Sequence, residues 1–371
     1  MSQVALKITH ILYAGLGGQG ADLFALIEKG FLENASHNVI FVGIEEPRFE
    51  YVVRCDALNI PWTYIARIKS KSYLGFVFAL FKRLSLIEPD IVLSHGLTAT
   101  PSLTLYRVFS SRKRFLVLRD TQAHHLKRIQ DWVFLFLANS LFDRIVYLTE
   151  EARSGAKAKL RYFYRGAKSV VINNGLDTEY FSPGSRPNVS NGIRIGMQSR
   201  LQANKDHPTL IDAFNALTKM QPELNLSLHI AGDGETLGPL RNYVETLGLS
   251  GRVFFHGMLG QSELRDFLSG LSIYVHSTHG ETMSTAIMQA LSMGLPVIAS
   301  DVLGVSNMIK GGNGLLYRPG DATDLAAKVN SVIQDQSLLA SLSMHARQGA
   351  VENYCNAAYV EKHNEVFRSN G

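Results

Sequence analysis

Glu281 and Gln289 stand eight residues apart in the stretch THGETMSTAIMQALSMGLPVIAS, residues 278–300. The stretch follows a strand-like run, Ile273 to His276, and reads as polar loop, helix, Gly-Leu-Pro turn and strand. Eight residues are a little over two helical turns, so Glu281 sits at the mouth of the helix and Gln289 points inward from its first turns. Thr282 and Ser284 are the candidate caps. A helix start of this kind offers backbone N–H groups to an anion, with a polar side chain at each edge. An ordinary βαβ unit has the same pattern, so the chemistry needs partners elsewhere in the chain.

Arg200 and Lys205 are two such partners. They lie in the loop after the strand Ile193 to Met197, just before a helix that carries Leu210, Ile211, Phe214 and Leu217 on one face. Two cations at one strand end suit a pyrophosphate, because Arg offers a fork of donors and Lys a point charge. A solvated surface pair is the plain alternative. A glycine run, GLGGQG at 15–20, joins the strand ending at Ala14 to a helical pattern from Ala21 to Asn34. Gly17 and Gly18 would let a phosphate or sugar approach the backbone. Gly15, Gly17 and Gly20 fit G-x-G-x-x-G, but no acidic residue closes the second strand, Val39 to Gly43, which argues against a nicotinamide cofactor.

The histidines are scattered and show no metal-ligand spacing. His95 ends a strand and precedes a glycine. His124 and His125 lie a few residues beyond the strand that ends at Arg119-Asp120. His229 falls inside a strand run, and His276 lies beside the key loop.

The elements that must position these residues alternate between strand and helix along the whole chain. At 371 residues the chain calls for two domains. A hydrophobic content of 46% with 19% charged residues fits a packed globular protein, not a disordered one. The join is expected in SPGSRPNVSNG, residues 182–192, rich in Pro, Gly, Ser and Asn. Cys55 and Cys355 are the only cysteines, and no signal-peptide pattern opens the chain, so a reducing, cytoplasmic setting is expected.

Charge is uneven. Residues 1–180 hold 23 Lys/Arg against 16 Asp/Glu, and the remainder holds 14 against 16. Residues 57–87 contain five basic residues, no acidic one and six aromatics. Trp62 and Tyr64 with Arg67, Lys69 and Lys71 could lie on an anionic membrane surface. A core helix with a basic edge is the alternative. No zinc-finger, RNP-like or helix-turn-helix signal accompanies the charge, so nucleic acid is not expected as a partner.

Several motifs, in order, resemble one family. SRLQANKDHPTLIDAF, LHIAGDGETLGPLRNYVETLGLSGRVFFHG and GETMSTAIMQALSMGLPVIASDVLG resemble the donor-binding half of the retaining nucleotide-sugar glycosyltransferases of the glycogen-synthase-like group, glycosyltransferase family 4. VINNGLDTEYFSP and the glycine loop extend a looser likeness into the first half. The resemblance implies the GT-B fold, two Rossmann-like domains facing each other across a cleft. Residues 1–182 would bind the acceptor and 183–349 the donor, with a C-terminal helix at 350–371 returning to the first domain.

It also implies roles. Arg200 and Lys205 would grip the donor diphosphate and Glu281 the transferred sugar. The N–H groups of Thr282, Met283 and Ser284 would help, and the backbone from Phe255 to Met258 would meet the base. Gln289 stands where the family carries Glu against the ribose hydroxyls. Asp120 or His124 would supply the group that the family often provides as a histidine near the transferred sugar. The implied reaction is metal-independent hexosyl transfer with retention from a UDP- or GDP-linked sugar, without a cofactor. The acceptor would be a saccharide of cell-surface polysaccharide or lipopolysaccharide synthesis, undecaprenyl-diphosphate-linked in one form, at the inner face of the cytoplasmic membrane. A nucleotide-sugar 2-epimerase of the same architecture, an NAD-dependent oxidoreductase and a non-catalytic nucleotide-sugar-binding or membrane-scaffold protein are the alternatives.

Overall fold

The computed structural model describes residues 6–14, 17–67, 73–110, 112, 114–184 and 192–368. The chain divides into two compact units, one of residues 1–175 with 356–371 and one of residues 176–355. The division thus falls at Gly175, upstream of the Pro- and Ser-rich stretch that composition marks as the join; most of that stretch, 185–191, lies outside the described residues.

The first unit alternates β1 (Lys7–Tyr13), α1 (Gly17–Glu28), β2 (Ser36–Gly43), α2 (Phe49–Ala57), β3 (Trp62–Ala66), α3 (Tyr73–Ile87), β4 (Ile91–His95), α4 (Thr100–Phe109), β5 (Phe115–Asp120), α5 (Ile129–Leu141), β6 (Arg144–Tyr147), α6 (Glu150–Leu160) and β7 (Ser169–Val171). Its sheet is parallel throughout, in the order β3-β2-β1-β4-β5-β6-β7. The second unit follows with β8 (Ile193–Gln198), α7 (His207–Met220), β9 (Leu226–Ala231), α8 (Leu237–Thr246), β10 (Val253–Phe255), α9 (Gln261–Ser269), β11 (Ile273–His276), α10 (Thr285–Ser292), β12 (Val297–Ser300), β13 (Gly314–Tyr317), α11 (Ala322–Gln334) and α12 (Gln336–Tyr354). Its sheet is also parallel, in the order β10-β9-β8-β11-β12-β13. The strands read as continuous apolar runs because helices cover both faces. In each sheet the first strand lies inside and the order reverses beside it, which is where such sheets take ligands, at the carboxyl ends of the strands.

A last helix, α13 (Asn356–Arg368), packs in the first unit. Tyr359, Val360, Val366 and Phe367 join Ile8, Leu26 and Phe31 in one apolar cluster. The helical tail is therefore two helices: residues 350–354 end α12 in the second unit, and only 356 onward belongs to the first. Gly175 leaves room for this helix, since a Cβ there would lie 2.6 Å from Asn356 Oδ1 and 2.7 Å from the Tyr359 ring.

Two expectations change. Residues 57–87 are not one helix; they hold the end of α2, the edge strand β3, and α3. The Trp62 indole N–H donates to Asp56 Oδ1 at 3.0 Å and the Tyr64 hydroxyl to Gly43 O at 3.1 Å, so both are engaged within the fold. Lys69 and Lys71 lie outside the described residues. In the glycine loop, Gly17 and Gly18 open α1, while Gly20 is explained by packing: a Cβ there would sit 2.2 Å from the Tyr51 ring.

Under α13 lies a buried histidine cluster. His10 Nε2 is 3.1 Å from His37 Nδ1, the His10 and His95 rings lie 5.8 Å apart, and the His363 Nδ1–H donates to Tyr359 O at 2.9 Å. Burial pushes His363 down to about 3 and holds His10 and His95 well below the ordinary imidazole range. Unfolded imidazoles titrate near 6.5, so below that pH the unfolded chain binds protons that the fold refuses. The stability these residues contribute is whole above pH 6.5 and is lost as pH falls from there toward 3. Each should cost on the order of 1 kcal/mol at pH 5.5 relative to pH 7.5. Urea denaturation at the two pH values should show a lower midpoint at 5.5; equal midpoints would mean that the folded cluster takes up protons freely.

Candidate active site

The loops after β8 and β11, neighbouring strands of the second sheet, carry the candidate residues. Asp206 caps α7 by accepting from Thr209 N–H at 3.3 Å, with Pro208 in the first turn, where its missing N–H costs nothing. The two loops are tied together. Asp206 N–H donates to Ser277 O at 3.2 Å, and both His279 N–H and Thr278 Oγ1 donate to Asn204 O at 3.0 Å. Lys205 and Glu281 thereby meet from different loops and form an ion pair, their side chains 11% and 12% exposed.

Glu281 has a second partner. His276, the last residue of β11, places Nε2 2.5 Å from the same oxygen, Oε1. Burial alone would raise this carboxyl; His276 first and Lys205 second hold it down to about 2. Glu281 is therefore an anion at any working pH, fixed between two donors. Arg200 lies exposed near the start of its loop.

Ser284 is the cap of α10 and accepts from Ile287 N–H at 3.4 Å. Thr282 is not the cap. The Ser284 N–H points at Met308 Sδ, 3.4 Å away, so it is already engaged and is not an open anion donor. Gln289, on α10, accepts from Gln198 Nε2 at 2.5 Å through its own Oε1. Phe255 is half-buried with the Arg241 guanidinium 5.7 Å from its ring, and Met258 is 72% exposed. Gly232 N–H donates to Gly257 O at 2.7 Å and so links the turns after β9 and β10. A cavity of about 480 Å³ opens beside Lys205, walled by Pro208, Pro239, Leu240 and Tyr243.

Asp120, among the first-unit candidates, is buried and stands in an ion pair with Lys127 at 3.0 Å. Arg119, fully buried, pairs with Asp22 at 3.0 Å and donates to Asn174 Oδ1 at 2.6 Å, with His95 Nδ1 3.4 Å away. His124 lies in a short 3-10 turn, and its side chain is outside the described set. Among the described residues no group of three or more His, Cys, Asp or Glu is placed to hold a metal ion.

The motifs place His276 only near the site and Gly304 only in the turn after β12, and nothing in them marks Gln198 or Tyr274. Gly304 has φ +80°, and a Cβ there would lie 1.9 Å from Glu281 O. Glycine at 304 is thus what lets the turn after β12 pass under Glu281, whose N–H donates to Leu303 O at 3.1 Å. A glycine in the run SDVLG was the only sequence signal for it.

A family model described as "Glycosyl transferases group 1" matches residues 184–349. A lipopolysaccharide core biosynthesis glycosyltransferase of Rhizobium meliloti is 28% identical over 171 residues, which is 46% of this chain and 48% of that protein. This chain thus spans about half the length of that relative. The crystal structure of HepE from Anabaena in complex with UDP superposes with a TM-score of 0.82 at 20% identity, over 98% of this chain and 100% of that one. The apo form of the lipopolysaccharide outer core galactosyltransferase WaaB gives 0.76 at 18% identity, over 99% and 100%. The fold is GT-B, built from two Rossmann-like units.

The Gly304 contact sets a test. Gly304→Ala should lower the unfolding free energy by roughly 1–3 kcal/mol more than Gly320→Ala. Gly320 has a similar φ, +74°, but nothing within 4 Å of the added Cβ. Denaturant melts of both variants compare contact with φ alone, and equal losses would show that the Glu281 carbonyl yields.

Proposed function

We propose, from the match of residues 184–349 to the group 1 glycosyl transferase model, that this protein transfers a hexose-type sugar from a nucleoside-diphosphate sugar to a saccharide acceptor, with retention and without a metal. The observation that carries the proposal is the Lys205–Glu281 ion pair, set where the strand order reverses. Lys205 and Arg200 supply the positive charge for a diphosphate. Glu281 supplies an ionised acceptor for sugar hydroxyls, and Gln289 an amide for the ribose. The backbone from Phe255 to Met258 takes the base. UDP is the first base to test, because HepE was crystallised with it; GDP is the second.

In the proposed reaction the bond between the sugar's anomeric carbon and the phosphate oxygen breaks as the bond to the acceptor oxygen forms on the same face. The acceptor's proton passes to the leaving phosphate. The protein's part is placement, and neutralisation of the diphosphate as its charge grows. Gly17 and Gly18, at the start of α1, are proposed to admit substrate to the backbone of the first unit. Arg200→Ala and Lys205→Ala should each weaken nucleoside-diphosphate binding by roughly 1.5–3 kcal/mol and slow transfer further. Calorimetry with UDP and GDP measures the first, and a nucleotide-sugar panel run in chelator, with NMR of the product anomer, measures the second. Full affinity in both variants, or loss of transfer in chelator, would defeat the assignment.

The acceptor is proposed to be a lipid-linked saccharide of surface-polysaccharide synthesis, met at an anionic membrane surface by the first unit. Helices α3, α4 and α5 share one buried face. Their outer sides expose Phe78 (58%), Phe109 (70%) and Ile129 (86%), with Lys82 and Arg128 also exposed. Residues 73–168 hold 16 Lys/Arg against 7 Asp/Glu. Among the described residues no helix is long and apolar enough to cross a membrane, so attachment would be peripheral. Each basic residue near such a surface is worth about 1 kcal/mol. The protein should co-sediment with vesicles of anionic lipid at low salt, and Lys82→Gln with Arg128→Gln should release it without loss of nucleotide binding. Equal sedimentation with neutral vesicles would sink the electrostatic part of the proposal.

A further inference from the structure

The transfer reaction as proposed makes no use of His276, yet this residue is among the most closely held in the second unit. It is 1% exposed. Its Nε2 is 2.5 Å from Glu281 Oε1 and 3.4 Å from Ser284 Oγ, and its Nδ1 is 3.3 Å from the Tyr274 hydroxyl. The Tyr274 and His276 rings stack at 6.1 Å and 19°. The Tyr274 hydroxyl donates to Gln198 O at 3.2 Å and accepts from Gln198 N–H at 3.4 Å. Gln198 in turn donates to Gln289. One hydrogen-bonded chain thus runs Lys205–Glu281–His276–Tyr274–Gln198–Gln289 and joins the two polar edges of the candidate site.

Lys205 and His276 share a single carboxylate oxygen. A diphosphate arriving at Lys205 competes for its ammonium. If Lys205 turns to the phosphate, Oε1 loses one of its two donors in a place largely closed to water. A carboxylate left there without a donor takes up a proton or turns away, and it then no longer serves as an acceptor for sugar hydroxyls.

We propose that His276 is a positioning residue, whose Nε2–H keeps Glu281 ionised and aimed after Lys205 has moved to the donor diphosphate, with Tyr274 fixing the ring behind it. The second carboxylate oxygen, Oε2, is then left for the sugar. This rests on the donor-site reading above. Among the described residues, Lys205 and His207 from the β8–α7 segment, Tyr274 from β11 and Ser284 at the start of α10 interact with Glu281 or His276. Burial pushes His207 down to about 4 and pushes the Tyr274 hydroxyl up, so both stay neutral near pH 7.

The test is proton uptake on nucleotide binding, measured for the whole protein at pH 7 by calorimetry in buffers of different ionisation enthalpy, with UDP and GDP as probes. The wild type should bind without taking up a proton. His276→Phe removes the donor, so Glu281 should take up a proton as Lys205 leaves it, and uptake should approach one. His276→Gln keeps an N–H near the position of Nε2 and should restore binding without uptake. Tyr274→Phe should shift uptake in the same direction as His276→Phe but less, and it keeps the idea open to refutation if His276→Phe does not fold. Turnover of the nucleotide sugar that the wild type uses should fall roughly tenfold to a hundredfold in His276→Phe and largely return in His276→Gln. Proton-free binding in His276→Phe and Tyr274→Phe, with turnover unchanged, would overturn the proposal. Failure of the wild type to bind either nucleotide would instead overturn the donor reading on which it rests.

Discussion

The second unit is arranged around one buried charge. A carboxylate removed from water is stable only when donors replace its hydration, and Glu281 obtains them from Lys205 and His276. Lys205 is held in place by the Asp206 cap and by the backbone bond from Asp206 to Ser277. His276 is held by ending β11, a strand buried at every position. The backbone of Glu281 itself is held by the turn after β12, where its N–H donates to Leu303 O and Gly304 leaves room for its carbonyl. Each of these supports comes from a different connection in the sheet. The charge therefore exists only in the folded unit, and it depends on β8, β11 and β12 being neighbours in that order.

The first unit spends its buried charges differently. Arg119 and Asp120 end β5, where ligands of parallel sheets are usually met, yet both are turned into ion pairs with Asp22 and Lys127. Burial raises the Asp22 carboxyl against the pull of Arg119, so the pair offsets a desolvation cost more than it adds stability. What these pairs bring is position. Arg119 also reaches Asn174 and lies 5.5 Å from the Tyr359 ring, so one guanidinium joins β5, α1, the segment after β7 and α13. A helix that arrives last in the chain is thereby registered against the first strands.

Much of this was legible in the sequence, and the reasons for the rest are physical. Alternating apolar runs and turns mark both sheets, since a buried parallel strand has to be apolar on both sides. Arg200, Lys205 and Glu281 stand out because charged residues at strand ends have few uses. The strand β3 was not legible: WTYIA carries two large aromatics beside basic residues, and on an edge strand that looks the same as an interfacial segment. The partners of those aromatics, Asp56 and Gly43, appear only once the chain is folded. The pairing of Arg119-Asp120 was not legible for a similar reason, because a strand-end pair facing solvent and one facing Asp22 and Lys127 have the same sequence. The grip of His276 on Glu281 was hidden too, since their separation of five residues across a loop implies no contact.

Gln289 shows how far one side chain depends on another. A carboxylate at that position would present only acceptors. The amide presents both an acceptor and donors. Gln198 lies buried at the end of β8, and its Nε2–H is directed at Gln289 Oε1. That bond takes one lone pair of the Gln289 oxygen, which keeps a second beside the two N–H donors of its amide. Glutamine at 289 can therefore both accept and donate where a carboxylate could only accept, and its buried neighbour Gln198 holds the oxygen side of that amide.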